Sequence, residues 1–138
     1  MGVLRIYGKI ISELAKAKDI VWQGRKIKAD ELTYKEKGKK ITVILDTLFT
    51  SEAVKTAENS DLLIAEATYT SREENLAKEY KHLTAKQAGE IAKKAKAKKL
   101  ILTHISQRYE ASSNLILNEA KKIFSDTSIA EDFDILEI

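Results

Sequence analysis

From Gly38 onward the apolar positions of this chain switch between short continuous runs and stripes at helical spacing, which predicts strands alternating with helices. Ile41-Thr42-Val43-Ile44-Leu45, opened by the turn Lys37-Gly38-Lys39, reads as a strand buried on both faces with Asp46 at its end. Residues 51–59 read as a helix, with Ser51 as N-cap and Val54 and Ala57 on one face. Leu62-Leu63-Ile64 is a second buried strand, and it delivers Glu66. The density of Glu, Lys and Ala over residues 70–80 predicts a solvated helix, after which His82 falls in a connection. Thr84 with Gln87 forms a capping-box signature, and Ala88, Ile91, Ala92 and Ala95 follow on one helical face. Lys99-Leu100-Ile101-Leu102-Thr103 is the next strand and ends at His104. A helix over 113–124 carries Leu117, Ala120, Ile123 and Phe124 as its stripe, and residues 128–130 and 133–138 close the chain as two short strands.

Strands that alternate with helices in this way argue for an α/β protein whose sheet has a large parallel portion and right-handed crossovers. The first forty residues break the pattern: 8–18 reads as a helix, and Val21-Trp22-Gln23-Gly24 with Arg25-Lys26-Ile27-Lys28 reads as a hairpin around Gly24. There is no internal repeat and no proline. At 138 residues, the expectation is one domain over 1–138.

Composition narrows the chemistry. With 43% hydrophobic and 33% charged residues the chain is an ordinary globular one rather than a disordered one. Its apolar runs are too short to cross a bilayer, and Met1-Gly2-Val3-Leu4-Arg5 lacks the pattern of a secretory signal, so a cytoplasmic protein with no membrane partner is expected. The chain has no cysteine, which excludes disulfides, thiolate zinc sites and cysteine nucleophiles. A metal would have to be held by the two histidines and by carboxylates. The net charge of +3 permits a polyanionic partner without requiring one. Lys35, Lys37, Lys39 and Lys40, and again Lys93, Lys94, Lys96, Lys98 and Lys99, are clustered. Solvated faces are the commoner role of such groups, and phosphate contact is the alternative.

Open α/β sheets gather their reactive groups beyond the carboxyl ends of the strands. Asp46, Glu66 and His104 all occupy such ends in the assignment above. Singly, an Asp or His there is most often a cap or a turn residue, but three on successive strand ends suggest a shared polar site. Asp46 and His104 are the candidate metal ligands, while His82 offers a further ligand or an acid or base near neutral pH. Glu66 is suited to orient a histidine. A catalytic zinc needs three protein ligands and an open position, so the chain alone is a poor candidate for a complete site. No phosphate-binding glycine loop is present, because Gly38-Lys39-Lys40 precedes a strand instead of following one.

These residues also carry a family resemblance. From Gly38 to Ile138 the chain resembles the C-terminal part of ribonuclease Z, the metallo-β-lactamase-fold endonuclease that trims the 3′ ends of precursor tRNAs. Leu45-Asp46-Thr47 is similar to the family's Gly-Asp-Thr turn, and Asp61-Leu62-Leu63-Ile64-Ala65-Glu66-Ala67-Thr68-Tyr69 resembles the strand leading into its His-Glu-Ala-Thr motif. His82-Leu83-Thr84-Ala85 is similar to the His-Ser-Thr motif, and Leu102-Thr103-His104-Ile105-Ser106-Gln107-Arg108-Tyr109 resembles the final zinc-ligand segment. Ala130-Glu131-Asp132-Phe133 resembles the Ala-x-Asp motif, and Ile6-Tyr7-Gly8-Lys9 resembles the family's Leu-Tyr-Gly-Lys stretch.

The resemblance implies the C-terminal half of an αββα sandwich. It implies Asp46 bridging two zinc ions, His104 ligating one of them, and His82, supported by Glu66, assisting proton transfer or holding the scissile phosphate. Arg108 would contact substrate phosphate. The substrate implied is precursor tRNA. Leu45 stands where the family has glycine, Ala65 where it has the histidine of His-Glu-Ala-Thr, and Leu83 where it has serine; none of these removes a ligand. The family's His-x-His-x-Asp-His motif, its next histidine ligand and its tRNA-clamping arm have no counterpart in this sequence. The expectation is therefore half of an enzyme, binding metal weakly alone and requiring an N-terminal half or a second subunit. The alternative is a non-catalytic half-domain that self-associates into a homo-oligomer and binds RNA or protein.

Overall fold

The computed structural model describes residues 7–138, so Ile6 of the Ile6-Tyr7-Gly8-Lys9 stretch lies outside the described residues. The chain divides at Gly38 into two compact units. In the first, helix α1 (Lys9–Ala15) is followed by strands β1 (Ile20–Trp22) and β2 (Arg25–Ile27) and a single helical turn, α2 (Ala29–Leu32). The hairpin is antiparallel with Trp22 opposite Arg25, as expected from Gly24, whose φ of 77° is a backbone conformation glycine adopts without strain. Asp19 accepts the Ala29 N–H at 3.1 Å, ties the hairpin to α2, and lies below the usual carboxylate range through that bond and its Lys26 partner.

The second unit holds β3 (Ile41–Ile44), α3 (Ser51–Ala57), β4 (Leu62–Glu66), α4 (Glu74–Tyr80), α5 (Ala85–Lys94), β5 (Leu100–Thr103), α6 (Ser113–Lys121) and β6 (Thr127–Ile129). Its four strands lie side by side in chain order, β3-β4-β5-β6, and every neighbouring pair is parallel. Consecutive right-handed crossovers in one direction put their helices on one side of the sheet. Accordingly Ala57 of α3, Ile91 and Ala92 of α5, and Ile116 and Ala120 of α6 form one core with Ile44, Leu63, Ala65, Leu100 and Leu102. Each fully buried Leu or Ile there contributes about 1.5–3 kcal/mol of burial.

The opposite side of the sheet carries the alternate residues. Ile41 and Val43 are 53% and 55% exposed, so β3 is buried on one face only, contrary to the reading of its β-branched run. β3 is an edge strand, and the side chains on its second face stay exposed. Further in, Leu62 and Ile101 on that face are buried.

Local chemistry fixed most boundaries within a residue or two. The Thr84 capping box forms as expected: Thr84 Oγ1 accepts the Gln87 N–H at 3.2 Å, and Gln87 Oε1 accepts the Thr84 N–H at 3.0 Å. The cap of α3 is Thr50 instead of Ser51, its hydroxyl accepting from Ala53 N–H. In α6 the buried pair is Ile116 and Ala120, with Leu117 only half-buried, because a four-residue step keeps side chains on one face. Gly89 lets α5 and α6 close up, since a Cβ there would stand 3.1 Å from the Ala120 carbonyl oxygen. Residues 133–138 form no strand: Phe133 is 99% and Ile135 93% exposed, and alternation without a neighbouring edge is not enough to make one. No described helix is long and apolar enough to cross a membrane.

Candidate metal centre

Parallel strands deliver their carboxyl ends to one rim of a sheet. Register sets Ile44 beside Ala65 and Glu66 beside Thr103, so Asp46, Glu66 and His104 emerge together. His82 joins them from the connection after α4, which closes at Lys81 in the left-handed conformation, φ 61°. One donor atom from each of Asp46, Glu66, His82 and His104 lies within 4.8 Å of all the others. Asp46 and His104 both have positive φ, 51° and 55°. Asp and His are among the residue types most often found there, yet such backbone stores roughly 1–3 kcal/mol, and outliers of this kind collect at functional sites.

Glu66 organises the group. It is fully buried, and both of its oxygens are used: Oε1 accepts the Thr47 N–H at 2.9 Å, while Oε2 accepts the Thr68 hydroxyl at 2.8 Å and faces His82 Nδ1 at 2.8 Å. A carboxylate only accepts, so His82 carries its proton on Nδ1. Thr68 has spent its own hydrogen on Glu66, and its oxygen, 3.1 Å from His104 Nδ1, is left to accept from that ring. Both imidazoles are thereby fixed as Nδ1–H tautomers with Nε2 as the available nitrogen. Their ring centroids are 5.1 Å apart.

Asp46 stands differently. Its carboxylate is largely exposed, 3.7 Å from His82 Nδ1 and 3.9 Å from His104 Nδ1, and makes no hydrogen bond among the described residues. One free carboxylate beside two oriented imidazoles is a nitrogen and oxygen donor set of the kind that holds a transition metal, with Glu66 holding a ring instead of competing as a ligand. All four sequence candidates are thus brought together.

Arg108 is exposed and stacks its guanidinium 5.6 Å from the centre of the Tyr69 ring, which in turn is 6.3 Å from the His82 ring. It reaches the group's margin through that aromatic step. Sequence reasoning assigned no role to Thr68 or Thr47, nor to the ties behind them. Tyr109 receives the Thr70 N–H at 3.1 Å and donates to Glu73, and Glu119 accepts from the Ser71 N–H and hydroxyl and from the Lys86 N–H. Hydrogen bonds from Thr70 and Tyr109, with the nearby Arg108 charge, hold the Glu73 carboxyl below the usual carboxylate range. These partners lie 33 to 48 residues apart, except Thr70 and Glu73, and carried no local signal.

The sequence model described as the beta-lactamase superfamily domain matches residues 23–105. Ribonuclease Z of Archaeoglobus fulgidus is 44% identical over 95% of this chain and 43% of its own length. Ribonuclease Z of Protochlamydia amoebophila is 41% identical over 92% of this chain and 41% of its own length. The chain therefore spans about two-fifths of the length of these curated relatives. Among solved structures, the metallo-β-lactamase fold protein YhfI of Bacillus subtilis is similar with a TM-score of 0.57 and 31% identity, over 62% of this chain and 34% of that one.

Proposed function

Because this chain belongs to the beta-lactamase superfamily, we propose that it is the C-terminal part of a ribonuclease Z-type, zinc-dependent endoribonuclease that cleaves precursor tRNA at its 3′ end. The observation that carries the reading is the convergence of Asp46, Glu66, His82 and His104 within 4.8 Å, in a chain 44% identical to a ribonuclease Z. In it, Asp46 and His104 hold metal, and Glu66 keeps the proton of His82 on Nδ1 while the ring assists proton transfer or holds the scissile phosphate. Arg108 offers its planar fork of donors to a substrate phosphate. Bound zinc supplies Lewis acidity toward the phosphoryl group.

Asp46, His82 and His104 are three donors and cannot complete two zinc sites, so the chain needs further ligands from an N-terminal half or a second subunit. On this reading the chain, acting in the cytoplasm, folds as one half of the αββα sandwich. Zinc titration and a precursor-tRNA cleavage assay test the proposal. The chain alone should bind zinc weakly and cleave poorly, and co-expression with the N-terminal portion of a ribonuclease Z should raise cleavage sharply. Robust cleavage by the chain alone would overturn the half-enzyme reading.

The exposed Ile41 and Val43, with Leu45 47% exposed beside them, favour a second reading in which the chain self-associates as a non-catalytic RNA- or protein-binding module. A stable homo-oligomer in light scattering, indifferent to zinc, would select it.

A further inference from the structure

One cavity among the described residues is lined by none of Asp46, Glu66, His82 and His104, and begins at Thr70, the residue after Tyr69. It is a cleft of about 700 Å³ between residues 70–73 and helix α6. Tyr109 forms its base, 5% exposed. Its walls are fixed to each other, since Glu119 of α6 accepts the Ser71 N–H at 3.0 Å and the Ser71 hydroxyl at 2.5 Å.

Two carboxylates line this cleft, and both are already engaged. Glu119 also takes the Lys86 N–H at 3.2 Å, and Glu73 takes the hydroxyls of Thr70 and Tyr109. What remains at the surface is donors: the Arg72 guanidinium, the Lys121 and Lys122 ammoniums and the Asn118 amide, all exposed. None of the three cations has a carboxylate within ion-pair distance among the described residues. Beside them Leu115, 49% exposed, offers an apolar surface. A cleft with spare donors, spare positive charge and an apolar strip selects a ligand rich in anionic acceptors that also carries flat apolar groups. A single-stranded nucleic acid fits that description.

The cleft is also joined to the reactive group. Thr70 follows Tyr69, whose ring lies 6.3 Å from that of His82, and Tyr109 follows Arg108, which stacks on Tyr69 at 5.6 Å. We propose that the cleft between residues 70–73 and α6 binds the backbone of the RNA strand next to the scissile phosphate, with Arg72, Lys121 and Lys122 on its phosphates. This rests on the endoribonuclease reading and extends its substrate path past Arg108.

The test is fluorescence anisotropy of the full chain with a labelled single-stranded RNA and with a precursor-tRNA transcript, over a range of salt. The triple variant R72E/K121E/K122E should weaken binding at least tenfold. Its salt slope should fall by about two, three contacts at about 0.7 each on a single strand. K93E/K96E/K99E makes the same change in net charge in the other basic cluster and should leave binding within threefold. Circular dichroism checks that both variants are folded. Equal weakening by the two triples, or RNA binding that ignores the first, would overturn the cleft proposal while leaving the endoribonuclease reading intact. A wild-type chain that binds neither RNA, alone or with the N-terminal portion of a ribonuclease Z, would overturn both.

Discussion

Glu66→Gln puts the organisation of the candidate metal centre to its sharpest test, because it removes a charge and almost no volume. The amide has two orientations. If its oxygen faces Thr68 and His82, the bonds at 2.8 Å to each survive, but its NH₂ then opposes the Thr47 N–H that Oε1 had accepted at 2.9 Å. Leaving that backbone donor unpaired costs about 1–3 kcal/mol. If instead the NH₂ faces Thr68 and His82, His82 must accept on Nδ1 and Thr68 must turn its hydrogen toward His104. Both rings then move their proton to Nε2, the nitrogen that a metal would take. Either way the wild-type arrangement is lost, by a stability decrease of about 1–3 kcal/mol or by a double tautomer switch. A change behind a metal-ligating histidine typically costs 10- to 100-fold in metal affinity. Denaturant unfolding reads the first effect, ¹⁵N NMR of the two rings reads the second, and zinc calorimetry reads the third. A variant with unchanged stability, Nδ1–H on both rings and zinc affinity within threefold of wild type would refute the account.

Two further substitutions address the scaffold. Thr84→Ala removes the side-chain half of the capping box on α5, and thermal unfolding should show a loss of about 1 kcal/mol. Asp61, which receives Lys98 Nζ at 2.6 Å and the Lys40 N–H at 2.8 Å, has its pKa lowered to about 2, first by the Lys98 bond and then by the Lys40 one. A depressed carboxylate stabilises the fold above its unfolded pKa of about 3.9 and ceases to do so as pH falls through the folded value. The stability gap between wild type and Asp61→Asn should therefore be full above about pH 4 and close toward about pH 2. Denaturant midpoints across that range measure it, and a gap that persists in acid would contradict the assignment.

Much of the fold was legible because its signals are local. Short apolar runs marked the strands of the sheet, a Thr-to-Gln spacing of three set the start of α5, and Gly24 set the hairpin. The candidate group was legible too, since parallel strands in chain order bring their carboxyl ends to one rim and Asp46, Glu66 and His104 sit at such ends. Where the reading of burial and of the last strand failed, the deciding neighbour was distant in sequence. Ile41 and Val43 looked like core residues of a strand buried on both sides, but burial depends on whether a second layer exists, which five residues of β-branched pattern do not encode. Residues 133–138 alternate as a strand does, and without an adjacent edge they remain exposed.

The sequence by itself determined which groups could do chemistry: with no cysteine and two histidines, any metal donors had to be imidazoles and carboxylates. Only the tertiary structure decided how each one is surrounded. Glu66 is fully buried and saturated by Thr47, Thr68 and His82, which makes it the residue that sets protons, whereas Asp46 stands in solvent with its oxygens free. The division follows from hydrogen bonding: a carboxylate's role depends on which donors surround it, and those donors arrive from three separate stretches of the chain.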